Sequence, residues 1–155
     1  MHSEPSAAND FHQSHVALLL DSYQRLLQRD LLQAEDRWDW GRQIFSADFV
    51  LLSHNTDPDP LFNYANRVAL QLFEFSWEEL IGLPSRLSAE PVNQLERERL
   101  LAKVTAQGFI DDYAGVRISK TGRRFQIQGA VVWSVHDEAG VFRGQAAWFK
   151  DWVWL

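Results

Sequence analysis

In residues 124–135 Phe125, Ile127, Val131, Trp133 and Val135 occupy every second position, with Gly129 completing the series, against Gln126, Gln128, Ala130 and Ser134. A period of two belongs to a strand in a sheet with one buried face, and an α-helix cannot satisfy it. Turn formers bracket the run, with Ser119, Lys120, Thr121 and Gly122 before it and Asp137, Glu138, Ala139 and Gly140 after it. Residues 113–119 and 141–149 on either side are rich in strand formers, so the second half of the chain reads as a three-stranded antiparallel meander.

The first half has a different texture. Val16, Leu19, Leu20, Tyr23, Leu26, Leu27 and Leu31 recur at helical spacing, with Arg25, Gln28, Arg29 and Gln33 opposite, and predict a helix over 10–34 capped by Asn9 or Asp10. Residues 49–53 and 61–64 read as short strands separated by a turn cluster at 54–60. Asn66 caps a short helix. Ser76 and Glu79, three apart, form a capping box that opens another, which Gly82 and Pro84 end. A longer helix is expected over 92–106, stopped by Gly108.

Two strands, a block of helices and three strands predict an α+β fold, a five-stranded antiparallel sheet with helices on one face, preceded by an N-terminal helix. The expected organisation is a disordered tail at 1–9, a capping or dimerisation helix at 10–36, and one domain at 40–155. The 155-residue length suits a single domain with a proper core.

Composition narrows the chemistry. There is no cysteine, which excludes disulfides, thiolate metal sites and any cysteine nucleophile or adduct, and fits a cytoplasmic protein. The start lacks the basic and apolar segments of a secretory signal, and no apolar run is long enough to cross a bilayer. A net charge of −6 disfavours nucleic acid, and the one compact basic cluster, Lys120, Arg123 and Arg124, surrounds a turn.

The predicted order is the PAS arrangement, and several stretches resemble that family. Leu61-Phe62-Asn63-Tyr64-Ala65-Asn66-Arg67 looks like its strand-to-helix junction. Phe75-Ser76-Trp77-Glu78-Glu79-Leu80-Ile81-Gly82 is similar to its Tyr-Ser-x-Glu-Glu-Leu-Ile-Gly block, and Arg117-Ile118-Ser119-Lys120-Thr121-Gly122 to its strand and lysine–glycine turn. More narrowly, SHNTDPDPLFNYAN, PSRLSAEPVNQLERERLL and GFIDDYAGVRISKTGRRF resemble the MEKHLA domain, a PAS-related, LOV-related module, over about 40–149. The resemblance implies a small-molecule sensor and not an enzyme.

Against flavin-binding LOV domains, whose stretch reads Gly-Arg-Asn-Cys-Arg-Phe, this chain has Gly82-Leu83-Pro84-Ser85-Arg86-Leu87. Ser85 falls where the reactive cysteine would be, Arg86 matches the phosphate-contacting arginine, and the two flavin-contacting asparagines fall on Arg117 and Ile127. The comparison excludes a photoadduct and argues against flavin; histidines confined to the tail, first helix and turns argue against haem. Its strand parity turns Arg117, Ile127, Gly129, Val131, Trp133, Ala146 and Trp148 toward the helices, where with Arg86 they are the expected ligand-binding residues. That interior is either filled or hollow. Arg117 then pairs with a ligand anion, with an acid such as Asp112, or with water.

His54, Asp57 and Asp59 are the compact set of metal-type ligands, and turn chemistry accounts for them without a metal. No triad, phosphate loop or zinc motif is present. The expected function is a ligand sensor taking a small anionic organic molecule. Since the chain stops soon after the last strand, its output would be association with a second copy or a separate regulator. Val16, Leu19, Tyr23, Leu26, Trp152 and Trp154 are the expected interface. The alternatives are a small isomerase- or dehydratase-type enzyme with His54 or Asp112 as base, and a ligand-free dimerisation module.

Overall fold

The computed structural model describes residues 3–32 and 36–155. Its helices are α1 Gln13–Leu27, α2 Trp40–Phe45, α3 Arg67–Phe73, α4 Trp77–Leu80 and α5 Pro91–Gln107. Its strands are β1 Val50–His54, β2 Phe62–Ala65, β3 Phe109–Ile118, β4 Arg124–His136, β5 Phe142–Phe149 and β6 Asp151–Trp154. The strands form one antiparallel sheet in the order β2-β1-β5-β4-β3, and β6, just past Lys150, continues beside β4. The sixth strand is an addition to the five expected.

Local signals act as the sequence implies. Asn66 Oδ1 accepts the N–H of Ala69 at 3.2 Å, and its amide donates to Ile44 O at 3.0 Å and Phe49 O at 2.8 Å, tying α3 to the segment before β1. Ser76 N–H donates to Glu79 Oε1 at 2.9 Å while Glu79 N–H donates to Ser76 Oγ at 3.2 Å. Both helix starts thereby satisfy orphan amides.

The first helix begins later than its spacing suggests. Asp10, Phe11 and His12 all take positive φ, so the helix starts at Gln13. Within the stretch expected to be a tail, Ser6 and Asn9 cap each other in a tight turn. The helix ends at Leu27, where Gln28 takes φ 58°; the expected end at Ala34 lies outside the described residues.

The sheet is covered on both faces. On one face, α5 buries Leu100 and Val104 against Val132, with Ala147 beside them. On the other face α1 buries Val16, Leu19, Leu20 and Tyr23. Complete burial of such side chains contributes about 1.5–3 kcal/mol each. The Trp133 indole donates to Leu19 O at 3.1 Å and meets the Tyr23 ring edge-on at 4.9 Å; Trp148 Nε1 donates to Tyr23 Oη at 3.3 Å. The expected α+β fold is therefore present, with the N-terminal helix covering the face opposite α5.

Two bulges set which residues face which side. Between the pairs Tyr113↔Ala130 and Gly115↔Ile127, β4 carries one extra residue, where Gly129 takes φ 63°. Between Ile110↔Val132 and Tyr113↔Ala130, β3 carries the extra residue, where Asp112 takes φ 60°. One inserted residue inverts the faces of everything beyond it.

Candidate functional site

A cavity of about 80 Å³ lies between α5 and the sheet. Ile127, Ala130, Val132, Ala147, Phe149 and Leu52 border it from the strands, Leu100 and Leu101 from α5, and Phe62 and Phe73 from the side. One water needs roughly 10–15 Å³ of such space, so the volume suits a small molecule of several heavy atoms. The walls are mainly apolar, and a few polar side chains converge on them: His54, Ser85, Ser88, Arg97, Tyr113, Arg117 and Gln145. That composition is typical of small-molecule sites.

Arg97 comes from α5 and Arg117 from β3, and each is only 7% exposed. Arg97 donates to the hydroxyl of Ser85. Arg117 donates to Val116 O at 2.9 Å and to Tyr113 Oη at 3.2 Å, with its guanidinium over the Tyr113 ring. Neither makes an ion pair with a carboxylate among the described residues. Burial, and then the charge of Arg117, bring the Arg97 pKa down to about 10. Tyr113 Oη lies 3.1 Å from both carboxylate oxygens of exposed Glu96, and burial raises its pKa. Tyr113 leans over Gly115, where a Cβ would stand 2.1 Å from that hydroxyl.

His54 closes the end of β1. Neither of its buried ring nitrogens makes a hydrogen bond of good geometry, the Asn55 backbone and the Gln145 side chain being its polar neighbours, and burial, then the charge of Arg97, lower its pKa to about 4. It is a neutral imidazole at physiological pH, with one donor and one acceptor turned into a largely apolar space.

The structure brings part of the expected site together. Arg117 and Ile127 line the cavity, and Ala146 borders it although its ladder partner is Trp133 on the other face. Val131, Trp133 and Trp148 are a correction: the bulge at Gly129 turns Val131 and Trp133 to the α1 side, and Trp148, paired with Val131, follows. Gly129 itself is exposed. Arg86 also stays outside, held by Asp59 at 3.2 Å on the surface. Arg97 and Tyr113 were not anticipated. The signal for Arg97 was present, since it shares the helical face of Leu100, Leu101 and Val104.

The interface expectations divide in the same way. Val16, Leu19 and Tyr23 are spent on the chain's own sheet, at 0%, 1% and 1% exposure, and Leu26 packs partly buried against the same core. Trp152 is half-buried against Phe149, while Trp154 is exposed and carries Arg123 over its ring. Asp112, one candidate base, is exposed. Among the described residues no group of three or more His, Asp or Glu is placed to hold a metal: Asp59 pairs with Arg86 and Asp57 Oδ1 caps the turn.

A five-stranded antiparallel path with α5 across one face and a cavity beneath it is the architecture of PAS-type sensory domains. The chain resembles the PAS domain of a protein from Colwellia psychrerythraea at TM-score 0.61 and 15% identity, over 71% of this chain and 91% of that one. It resembles a light-oxygen-voltage domain whose mechanism was probed with a flavin analogue at TM-score 0.58 and 17% identity, over 74% and 83%. It resembles the fungal blue-light photoreceptor Vivid, solved as a light-state dimer, at TM-score 0.59 and 15% identity, over 84% and 89%. At these identities the likeness establishes the fold.

The chain belongs to the MEKHLA domain family, whose model matches residues 13–154. The match starts at the first residue of α1. No curated protein matches the chain. No helix of the described residues is long and apolar enough to cross a membrane.

Proposed function

We propose that this MEKHLA domain is a PAS-type sensory module that binds a small molecule beneath α5 and passes its occupancy on through protein contacts. One observation carries the reading: the cavity beneath α5 is bordered by a buried imidazole, His54, neither of whose nitrogens makes a well-formed hydrogen bond to the protein. An unsatisfied buried polar group costs about 1–3 kcal/mol, and a ligand that satisfies it recovers that energy.

Occupancy has a route outward. Gln145 donates to Leu101 O at 3.2 Å and to Thr105 Oγ1 at 3.0 Å, so the cavity wall on β5 is hydrogen-bonded to α5. On its outer side α5 exposes Val92 and Leu95. Arg124 pairs with Glu90 just before α5, and its carbonyl accepts the N–H of Leu155 at 2.9 Å, which brings exposed Trp154 and Leu155 near the same end. An apolar surface beside the helix that roofs the cavity suits association, and one structural neighbour, Vivid, was solved as a dimer.

The domain is read as non-catalytic. A general base needs a partner that orients it and a pKa near the working pH. His54 makes no hydrogen bond to a carboxylate among the described residues, and its pKa is far below neutrality.

Thermal unfolding against a library of small acids, amines, amides and alcohols tests the binding reading, with Leu100→Trp as a variant that fills the cavity. Saturable stabilisation of the wild type that disappears in Leu100→Trp is expected. Stabilisation that persists in the filled variant, or none from any compound, contradicts it.

A further inference from the structure

We infer that the ligand of this cavity is a small organic carboxylate, gripped between Arg97 and Arg117 with its carbon skeleton against Leu52, Phe73 and Phe149 (an assignment that rests on the cavity being a ligand site). Two guanidinium groups, each 7% exposed, enter one cavity from different walls. Buried charges in proteins are normally paired or bound to a counter-ion, because desolvating a lone one is costly. Here the protein offers Arg97 a serine hydroxyl, and offers Arg117 a backbone carbonyl and a phenol. Those acceptors use some of the ten N–H donors the two guanidinium groups carry and supply no negative charge.

The geometry also selects among anions. Guanidinium planes match the two oxygens of a carboxylate, and charge-assisted pairs of that kind are roughly twice as strong as neutral hydrogen bonds. Beside them the cavity is lined mainly by hydrocarbon, which an inorganic anion would leave unused. Neutral His54 and Ser88 add polar atoms for an oxygen on the skeleton. The nearest carboxylates act from a distance and pair with neither guanidinium: Glu98 and Asp59 only partly offset the lowering of the Arg97 pKa. Asp59 is engaged with Arg86 on the surface, and Glu96 reaches Arg117 only through the Tyr113 hydroxyl.

The experiment compares propanoate with propanamide, its neutral near-isostere, and with inorganic phosphate, by calorimetry and thermal shift at matched ionic strength. Propanoate is expected to bind the wild type at least about tenfold more tightly than propanamide, and Arg97→Gln and Arg117→Gln each to weaken propanoate about 10- to 100-fold but propanamide by no more than a few-fold, so that the preference for the acid shrinks. Arg97→Lys, which keeps the charge but loses the fork, is expected to fall between wild type and Arg97→Gln. The wild-type comparison needs no variant, so a misfolded substitution does not decide the matter. Equal or tighter binding of propanamide overturns the carboxylate assignment while leaving a ligand cavity in place. Phosphate binding as tightly as propanoate overturns its organic half. If propanoate, propanamide and phosphate all fail to bind, the carboxylate assignment falls; failure of the wider library as well removes the ligand site itself.

Discussion

Arg97 on α5 and Arg117 on β3 line the same cavity, where burial and then the positive charge of the second depress the pKa of the first. Without a ligand this places like charges in a mainly apolar space with no carboxylate directly paired to either among the described residues.

Replacing one of these charges with a hydrocarbon of similar volume is therefore expected to stabilise the empty protein. Buried ionic groups exchanged for packed apolar ones typically gain about 1–4 kcal/mol. Arg97→Met is expected at the lower end, near 1 kcal/mol, because it also strips Ser85 of its donor. Urea unfolding of both proteins without ligand checks this; a clear loss of stability would show Arg97 to be paired in a way that the geometry does not contain.

Gly115 is a positioning residue for Tyr113. A Cβ at 115 would meet the tyrosine hydroxyl at 2.1 Å, so Gly115→Ala pushes the ring aside and breaks its contact with Arg117. The variant is expected to lose carboxylate affinity to about the extent that Tyr113→Phe does, with stability changed by no more than about 1 kcal/mol. If Gly115→Ala binds like wild type, Tyr113 has no part in orienting Arg117.

His54 makes stability depend on pH in a defined direction. Its folded pKa of about 4 lies below the ordinary 6.5, so as pH falls the unfolded chain takes up the proton first. The contribution is fully present above the unfolded value and is lost as pH drops from there toward 4, to a total of roughly 3 kcal/mol. Unfolding free energies from urea titrations between neutral pH and pH 5 should fall for the wild type by about 2 kcal/mol more than for His54→Gln. Parallel curves would mean that His54 is solvated or protonated in the folded state.

Much of this architecture is legible in the residues, and the point where it stops being legible is physical. Asn66, Ser76 and Glu79 announce their helix starts because a cap is a local hydrogen bond. The alternation from Phe125 to Val135 announces β4 but misassigns its second half, since the extra residue at Gly129 moves Val131 and Trp133 from the cavity face to the α1 face. A glycine inside a strand pattern is the signal for such a bulge. The unbroken apolar run Ala130, Val131, Val132, Trp133 is a second sign, because a strand covered on both faces does not alternate. The hollow itself has no local signature: whether side chains meet or leave a gap depends on how α5 sits over the sheet.

Trp133 provides a control on the opposite face. Trp133→Phe removes the hydrogen bond to Leu19 O and shrinks the contact with Tyr23, so it should destabilise the fold by about 2 kcal/mol through loosened docking of α1. Ligand affinity per folded molecule should remain within about twofold. Weakened binding without loss of stability would return Trp133 to the cavity.

The account turns on whether the space beneath α5 is occupied by a molecule, and native mass spectrometry of the protein purified from its own host reads this directly. The account predicts one small-molecule adduct per chain, released as an acid on denaturation and missing from the Arg97→Gln and Arg117→Gln proteins. A bare wild-type chain that stays bare when offered small carboxylates, or an adduct that survives loss of both arginines, would contradict it.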